Sequence, residues 1–420
     1  MIELGLSRMG RLLKHTPQLW KGIHVAGTNG KGSVCAYLSA MLNASGVRSG
    51  RFTSPFLIDR IDAITINEKV VNNQTFEDAE AKILEINRTH KIQATEFEII
   101  TAIAFEVFAR EKIDIGVIEV GLGGRLDSTN IMEKKAVTVI TKIGLDHQSW
   151  LGNSVEEIAL EKAGIMRTGV PCVIDRTNNE SVRNVIKEHA QKIGTDIVLS
   201  SIDSPFFEDL KHDHLDLEPH QQDNLACAYT AFHLGYTSSE SPLHRLLPAI
   251  KKVEWPGRLQ KLDIECITQR KETVLLDGAH NAQSAQVLGD YVNRKVRTTS
   301  NNTVTWILAV SEGKDLKQIL KPLLQNEDYV GVVKFNPVDR MPWVRATAPN
   351  EILSAAYELG IDPLHCHNAE SDVLNILQWA ATISNRGPIV IAGSLYLVSD
   401  VLRIIRTVKL KQKLGFGQKS

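Results

Sequence analysis

A doubly wound α/β architecture in two successive domains is what the sequence predicts, and three observations carry that prediction. Short apolar, β-rich runs alternate with helix-period segments through both halves of the 420 residues. A glycine-rich turn, Gly27-Thr28-Asn29-Gly30-Lys31-Gly32-Ser33, stands between a strand-like run and a helical pattern. The segment Glu254-Trp255-Pro256-Gly257-Arg258 then breaks the alternation with a Pro-Gly pair suited to a hinge. The expected division is a first domain over residues 1–254, a hinge over 255–258 and a Rossmann-like α/β domain over 259–420.

In the first half, Ile23-Val25, Ile115-Val120, Ala136-Ile140 and Val170-Ile174 read as buried parallel strands, being largely apolar runs bounded by turn residues. Helical patterns occupy Val34-Leu42, Thr75-Asn87, Glu96-Arg110 and Val155-Ala163 between them. From Ser200 to Gln222 the chain turns polar. Its His212, His214 and His220 read as part of a solvated loop rather than a metal site, because no ligand spacing accompanies them. A helix over Asn224-Leu234 follows. Past the hinge, strands are expected at Thr273-Leu276, Val304-Val310, Val330-Phe335 and Pro388-Ala392, with helices such as Asn281-Val292 and Asp372-Ile383. The basic tail Lys409-Ser420 is expected to fray.

The glycine turn is the strongest chemical signal. Glycines let backbone N–H groups turn inward around an anion, and the following helix adds the positive end of its dipole. Lys31 can reach β/γ-phosphates, and the Ser33 hydroxyl can sit on the Mg²⁺ they carry. The first half therefore reads as a P-loop mononucleotide-binding domain with a parallel sheet. Only Thr28 and Asn29 separate Gly27 from Gly30, whereas the general P-loop has four residues there, and the hydroxyl comes one residue late.

Three strand-end motifs join it. Glu119 closes an apolar strand before Gly121-Leu122-Gly123-Gly124-Arg125-Leu126-Asp127, at the sheet edge where open α/β sheets bind ligands. A carboxylate there needs a cation, either Mg²⁺ or Arg125 in a buried ion pair. Asp146 and His147 follow the next strand, and His147 reads equally as an Mg²⁺ ligand or a loop residue. Lys162 precedes Gly164, a plausible left-handed helix cap, and by itself a last-turn lysine only offsets the helix dipole. In the second half, Asp277 suits ribose hydroxyls and His280 an anion, or else they are a turn residue and a neighbour of a helix cap. Arg258 could reach phosphates across an interdomain cleft.

Composition excludes several classes. Lys+Arg 48 against Asp+Glu 49 gives a net charge of −1, so no overall field favours nucleic acid or an anionic membrane. Five scattered cysteines without a CxxC pair fit neither a disulfide framework nor a zinc ribbon and suit a reducing compartment. No run approaches the roughly 18 apolar residues of a membrane span. The opening Met1-Ile2-Glu3-Leu4-Gly5-Leu6 carries no targeting pattern, so the cytoplasm is expected, with a mitochondrial pool left open.

Taken together these segments resemble the folylpolyglutamate synthase/dihydrofolate synthase family of the Mur ligase superfamily over nearly the whole chain. The likeness rests on Gly27-Thr-Asn-Gly-Lys-Gly-Ser33, Thr53-Ser-Pro-Phe-Leu57, Glu119-Val-Gly-Leu-Gly-Gly-Arg-Leu-Asp127, Leu145-Asp-His147 with Leu151-Gly152, Glu161-Lys-Ala-Gly-Ile165, Trp255-Pro-Gly-Arg258, Asp277-Gly-Ala-His-Asn281 and Gly393-Ser-Leu-Tyr-Leu397. Met341-Pro-Trp343 and the opening Ile2-Glu-Leu-Gly-Leu-Ser-Arg8 look like the fungal monofunctional branch, which acts on dihydropteroate. The resemblance implies an ATP-dependent amide ligase. In it a dihydropteroate carboxylate becomes an acyl phosphate that the amine of L-glutamate attacks. The runner-up within the family extends folate's own γ-carboxyl, and a P-loop NTPase module without ligase activity is the alternative outside it.

The resemblance also implies a site. One Mg²⁺ would take Ser33, Ser54 and Glu119, and a second would use His147 with Lys162 carbamylated by CO₂. The loop Gly27, Thr28, Asn29, Gly30, Lys31, Gly32 and Ser33, with Asn224, Arg258 and Asp277, would hold ATP. Lys31, Lys162 and His280 would be catalytic, and His280 and Ser394 would lie near glutamate and the reacting phosphate. Small-molecule substrates, no nucleic acid, no membrane and a monomer are expected. Phe56 stands where many relatives carry His, so any contact from that histidine is lost here.

Overall fold

An eight-stranded sheet organises the first part of the chain. Its strands are β1 (Lys21–Ala26), β2 (Ser49–Phe52), β3 (Ile64–Ile66), β4 (Lys69–Val70), β5 (Ile115–Glu119), β6 (Lys135–Ile140), β7 (Cys172–Ile174) and β8 (Ile197–Leu199). They lie in the order β4-β3-β2-β5-β1-β6-β7-β8. Every pairing from β2 to β8 is parallel, and only β3 and β4 run antiparallel at one edge. β1 and β5 are buried almost throughout because helices cover both faces, as a parallel sheet requires. Ile23, Val25, Val117 and Val139 pack on one side against helices Lys31–Ala44 and Pro219–Gly235. Phe52 and Ile118 pack on the other against helices Asn73–Thr89 and Glu96–Arg110.

The computed structural model describes residues 5–203, 205–212, 217–236, 243–297 and 302–413. The chain divides into two units, Met1–Glu254 and Trp255–Ser420. The second unit holds β9 (Gln260–Leu262), β10 (Val274–Leu276), β11 (Thr305–Leu308), β12 (Tyr329–Val332), β13 (Cys366–Asn368) and β14 (Ile389–Ala392). Their order is β13-β12-β11-β14-β10-β9, parallel except for the antiparallel edge strand β9. Trp306 and Val390 lie in its core with Leu288 and Ile352 from the flanking helices.

Several expectations change. The sheets are not wholly parallel, since each carries an antiparallel edge. The polar stretch after Ser200 contains a helix, Pro205–His212, whose Phe206, Phe207 and Leu210 are buried. Phe206 stacks on Tyr229 with centroids 3.9 Å apart, so three apolar side chains outweigh the surrounding polarity. His220 lies in the first turn of helix Pro219–Gly235, and His214 falls outside the described residues. That helix begins five residues before Asn224, with Pro219 in its first turn and a Glu218/Gln221 capping box. The last helix, Leu395–Lys413, carries the basic residues from Lys409 to Lys413 in regular structure; the residues beyond it lie outside those described. No helix among the described residues is long and apolar enough to cross a membrane.

Candidate active site

β1 ends at Ala26, and its neighbours β5 and β6 bring Glu119 and Thr141 to the same carboxyl edge of the sheet. This is where strand order reverses about β1, the position at which such sheets bind ligands. The glycine loop spans from β1 to a helix starting at Lys31. The backbone N–H groups of Thr28 and Asn29 both donate to the Lys142 carbonyl, at 2.9 and 3.1 Å. The Thr141 hydroxyl donates to the Asn29 carbonyl at 2.7 Å, and the Thr28 hydroxyl bonds to Gly144. The loop is thus sewn to the segment following β6. No side chain caps the helix start and no acid occupies its first turn, so its dipole end remains available to an anion.

Gly30 has φ +88°, ψ −10°, in the left-handed region. A Cβ there would lie 2.1 Å from Asn224 Oδ1, so the buried Asn224 amide abuts the loop. Lys31 Nζ donates to the Thr28 carbonyl at 3.2 Å, which folds the lysine along the loop. Ser33 is half-buried in the first helical turn.

Glu119 is buried, and its Oε2 accepts the Ser54 backbone N–H at 3.1 Å, joining the Thr53-Ser54 segment to the end of β5. Arg125 does not take the role of its ion-pair partner. It binds Glu161 instead, at 2.9 Å between Nη2 and Oε1, and donates its backbone N–H to the Glu161 carbonyl at 2.8 Å. Phe56 and Phe97 each pack against the apolar cluster on this side of the sheet. His147 precedes the short helix Gln148–Leu151 with φ +53°, a conformation uncommon outside glycine. The buried Asp146 carboxylate accepts its backbone N–H at 2.8 Å and lies 4.0 Å from its Nε2.

Lys162 gives the largest departure from a bland reading. Instead of reaching solvent from the last turn of helix Val155–Ala163, it is buried. Burial, helped by the charge of Lys31 and opposed by Asp146 and Asp127, brings its amine down to about 7. An ordinary lysine, near 10.4, has almost no free amine at neutrality, whereas this one is largely poised to lose its proton.

Gly164 is not a left-handed cap. Its φ −61° and ψ −5° are right-handed, and the glycine is there because a Cβ would lie 2.3 Å from Arg125 Cβ. Gly124 answers from the other side, where a Cβ would meet the Glu161 and Lys162 carbonyl oxygens at 2.8 Å. The turn after Glu119 is therefore pressed against the backbone that carries Lys162.

Beneath these segments lies a second buried lysine that sequence reasoning passes over. Lys135 donates to Asn130 Oδ1 at 2.7 Å and to the Ile165 carbonyl at 2.6 Å. Burial lowers its amine to about 6, with Arg167 adding to the effect. Between about pH 6 and 10.4 the unfolded chain carries a proton here that the folded chain lacks, so stability rises with pH across that window. Lys135→Met should flatten the rise in melting temperature between pH 6.5 and 8.5, leaving the part due to Lys162; thermal unfolding at the two pH values checks it.

In the second unit, β10 and β14 end side by side, and the Asp277 N–H donates to the Ile391 carbonyl. The buried Asp277 carboxylate accepts the backbone N–H groups of Leu259 and Ala279, each at 2.8 Å. One side chain thus fixes the turn carrying Arg258 and the turn leading to His280. Burial raises its pKa, against the pull of Arg258 and these donors. Arg258 Nη1 donates to the Gly257 carbonyl at 2.9 Å. His280 Nδ1 lies 2.8 Å from the Gly278 carbonyl, which can only accept, so Nδ1 carries the proton and Nε2 the lone pair of the neutral ring. Ser394 is buried, and its hydroxyl accepts the Tyr396 N–H at 3.0 Å at the start of the last helix.

Among the described residues, no three His, Cys, Asp or Glu side chains converge on one point. That donor set fits Mg²⁺, which keeps waters and takes one or two carboxylates with substrate phosphate oxygens rather than a full protein cage. Glu119 and the Ser33 and Ser54 hydroxyls suit one such ion by type, and His147 with an anionic form of Lys162 suits another.

A glycine loop at the carboxyl edge of a doubly wound sheet, with the buried Glu119 and Lys162 among the strand-end motifs, defines an α/β enzyme of the P-loop type with a second Rossmann-like unit. Residues 25–234 match the Mur ligase middle domain and residues 260–404 the dihydrofolate synthetase C-terminal domain. The chain is 39% identical to a dihydrofolate synthetase of Saccharomyces cerevisiae, over 96% of this chain and 98% of that one. It is 36% identical to a probable dihydrofolate synthetase of Schizosaccharomyces pombe, over 96% and 99%. A Bacillus subtilis dihydrofolate synthase/folylpolyglutamate synthase is 30% identical over 95% or more of both. Among solved structures, a Mycobacterium tuberculosis folylpolyglutamate synthase complexed with ADP and AMPPCP superposes with TM-score 0.81 at 26% identity, covering 99% of this chain and 96% of that one. E. coli FolC in complex with DHPP and ADP gives TM-score 0.78 at 25% identity, over 97% and 94%. The chain belongs to the dihydrofolate synthetase/folylpolyglutamate synthase family of Mur-type ligases.

Proposed function

We propose that the protein is an ATP-dependent ligase that joins 7,8-dihydropteroate to L-glutamate, giving dihydrofolate, ADP and phosphate. Near-full-length similarity to the two fungal dihydrofolate synthetases is the observation that carries the substrate assignment. The phosphate loop, with Lys31 and the buried Lys162 near enough to repel each other, supports the chemistry.

The N–H groups at the helix start and Lys31 would bind the triphosphate and neutralise charge on the transferring phosphoryl group as it passes to the pteroate carboxylate. Asn224, which abuts the loop at Gly30, would contact ATP, on family likeness. Ser33, Ser54 and Glu119 would hold one Mg²⁺, and His147 with Lys162 as its carbamate a second, and such ions would supply further charge neutralisation. The Lys162 amine serves because, neutral, it can add to CO₂; its lone pair forms the N–C bond, one proton leaves, and a carboxylate-like ligand results. The glutamate amine then attacks the acyl phosphate and phosphate departs. His280, with its Nε2 lone pair, would take a proton from that amine, and Ser394 would sit near the same reactants. Asp277 and Arg258 complete the assignment as ribose and phosphate contacts, on family likeness.

On this reading residues 1–254 form the ATP-binding domain, 255–258 a hinge and 259–420 the ligase domain. This reading carries a monomer working in the cytoplasm on small molecules, without nucleic acid or membrane. Incubation with ATP, glutamate and either dihydropteroate or tetrahydrofolate tests it, with product expected from dihydropteroate. Product from the folate alone would make the protein a folylpolyglutamate synthase, and ATP hydrolysis indifferent to both would make it no ligase at all.

A further inference from the structure

Asn130 sits 3% exposed where three site-bearing segments meet, and every polar atom of its side chain is used. Its Nδ2 donates to the Arg125 carbonyl at 2.9 Å and the Gly164 carbonyl at 3.1 Å. Its Oδ1 accepts from Lys135 Nζ at 2.7 Å and from Arg167 Nη2 at 3.0 Å. The amide orientation is fixed by these partners, since a flipped amide would face two carbonyls with its oxygen and two donors with its nitrogen. Arg167 also donates to the Asn130 carbonyl at 3.0 Å and to the Met166 carbonyl at 2.9 Å, while Lys135 reaches Ile165.

Arg125 closes the glycine turn that follows Glu119, and Gly164 stands two residues beyond Lys162. Two hydrogen-bonded ties join those two pieces of backbone: the Arg125 N–H to the Glu161 carbonyl at 2.8 Å, and the Asn130 amide, which bonds a carbonyl of each. The glycine contacts are purely repulsive: Gly124 and Gly164 let the segments approach, and nothing in those contacts pulls them together. The pull comes from the Arg125 bonds to Glu161 and from Asn130. The Arg125–Glu161 ion pair is exposed and weak and the Arg125 N–H reaches Glu161 alone, whereas the buried Asn130 amide holds the turn after Glu119 and the Gly164 backbone beyond Lys162 at once, through four partners.

We propose that Asn130 is a positioning residue for the metal-binding end of the reaction, setting the distance between the Glu119 turn and Lys162. The proposal rests on the reading of Lys162 as a carbamylated ligand. It assigns the Lys135–Asn130–Arg167 group a task beyond holding the fold. Outer-shell partners of this kind typically change metal affinity by about 10–100-fold when removed.

The test uses the full-length protein and two variants, Asn130→Asp, which removes both donors to Arg125 and Gly164, and Asn130→Ala. Bound Mn²⁺ is counted by electron paramagnetic resonance in the presence of a non-hydrolysable ATP analogue, and the Lys162 carbamate is followed by NMR after ¹³C-bicarbonate loading. Expected are a roughly tenfold or greater loss of Mn²⁺ affinity and a weaker carbamate signal, with affinity for the analogue in metal-saturating buffer within about twofold of wild type. Wild-type Mn²⁺ affinity in both variants overturns the proposal. No ¹³C signal in the wild type would instead overturn the carbamate reading, and the Mn²⁺ measurement would still decide for or against Asn130. If both variants fail to fold, Lys135→Met is measured in the same way. It leaves the two Asn130 donors in place and is expected to weaken Mn²⁺ binding less, in the same direction; unchanged binding there overturns the proposal.

Discussion

Lys162→Ala should lower kcat by about 10²–10³, the usual loss when a group stabilising transferring charge is removed. Small carboxylates such as acetate should restore part of the rate by occupying the space of the missing carbamate. The physical ground is the burial of this amine, which brings it down to about 7. Only the unprotonated form adds to CO₂, so at fixed CO₂ the wild-type rate should rise through pH 7 and level off above it. Lys162→Ala with acetate should lack that rise. A steady-state pH profile of both proteins checks the pair of claims, and full activity in the alanine variant would remove the carbamate from the mechanism.

Gly30→Ala should raise KM for ATP by tenfold or more. Alanine at φ +88° costs roughly 1–2 kcal/mol of backbone strain, and 1.4 kcal/mol is already about tenfold in affinity. The overlap with Asn224 comes on top, since the new methyl would lie 2.1 Å from Oδ1. Asn224→Ala removes that overlap and leaves the strain. The double variant should therefore fall short of the product of the two single losses, a coupling expected only of residues in contact. ATP binding by Gly30→Ala equal to wild type would show that the loop tolerates a side chain there.

The glycine loop between β1 and its helix and the acids at the strand ends are legible in the sequence because they are local: the glycines, lysine and hydroxyl are neighbours in the chain. β2 is not, since Ser49-Gly50-Arg51-Phe52 offers no apolar run, and Gly50 is kept small by Phe108 from a distant helix. Helix Pro205–His212 hides in the same way, its buried phenylalanines set among polar residues whose effect on composition is larger. Gly164 reads as a cap because caps are the commonest use of such a glycine, while its actual reason, Arg125, is 39 positions earlier. The burial of Lys162 is equally non-local. Asn130 escapes notice because one asparagine after a glycine motif carries no sign of the four partners that fill its amide.

The glycines facing Arg125 and Lys162 bear on how this protein could change under selection by an inhibitor. A compound leaning on that stretch of main chain would touch atoms no substitution alters, and the two nearest residues have no smaller or larger replacement that fits. Escape would have to come from elsewhere, through side chains such as Phe56 at the aromatic cluster. Resistance should therefore arise slowly against ligands seated on the turn after Glu119, and readily against ligands that depend on the aromatic cluster beside it.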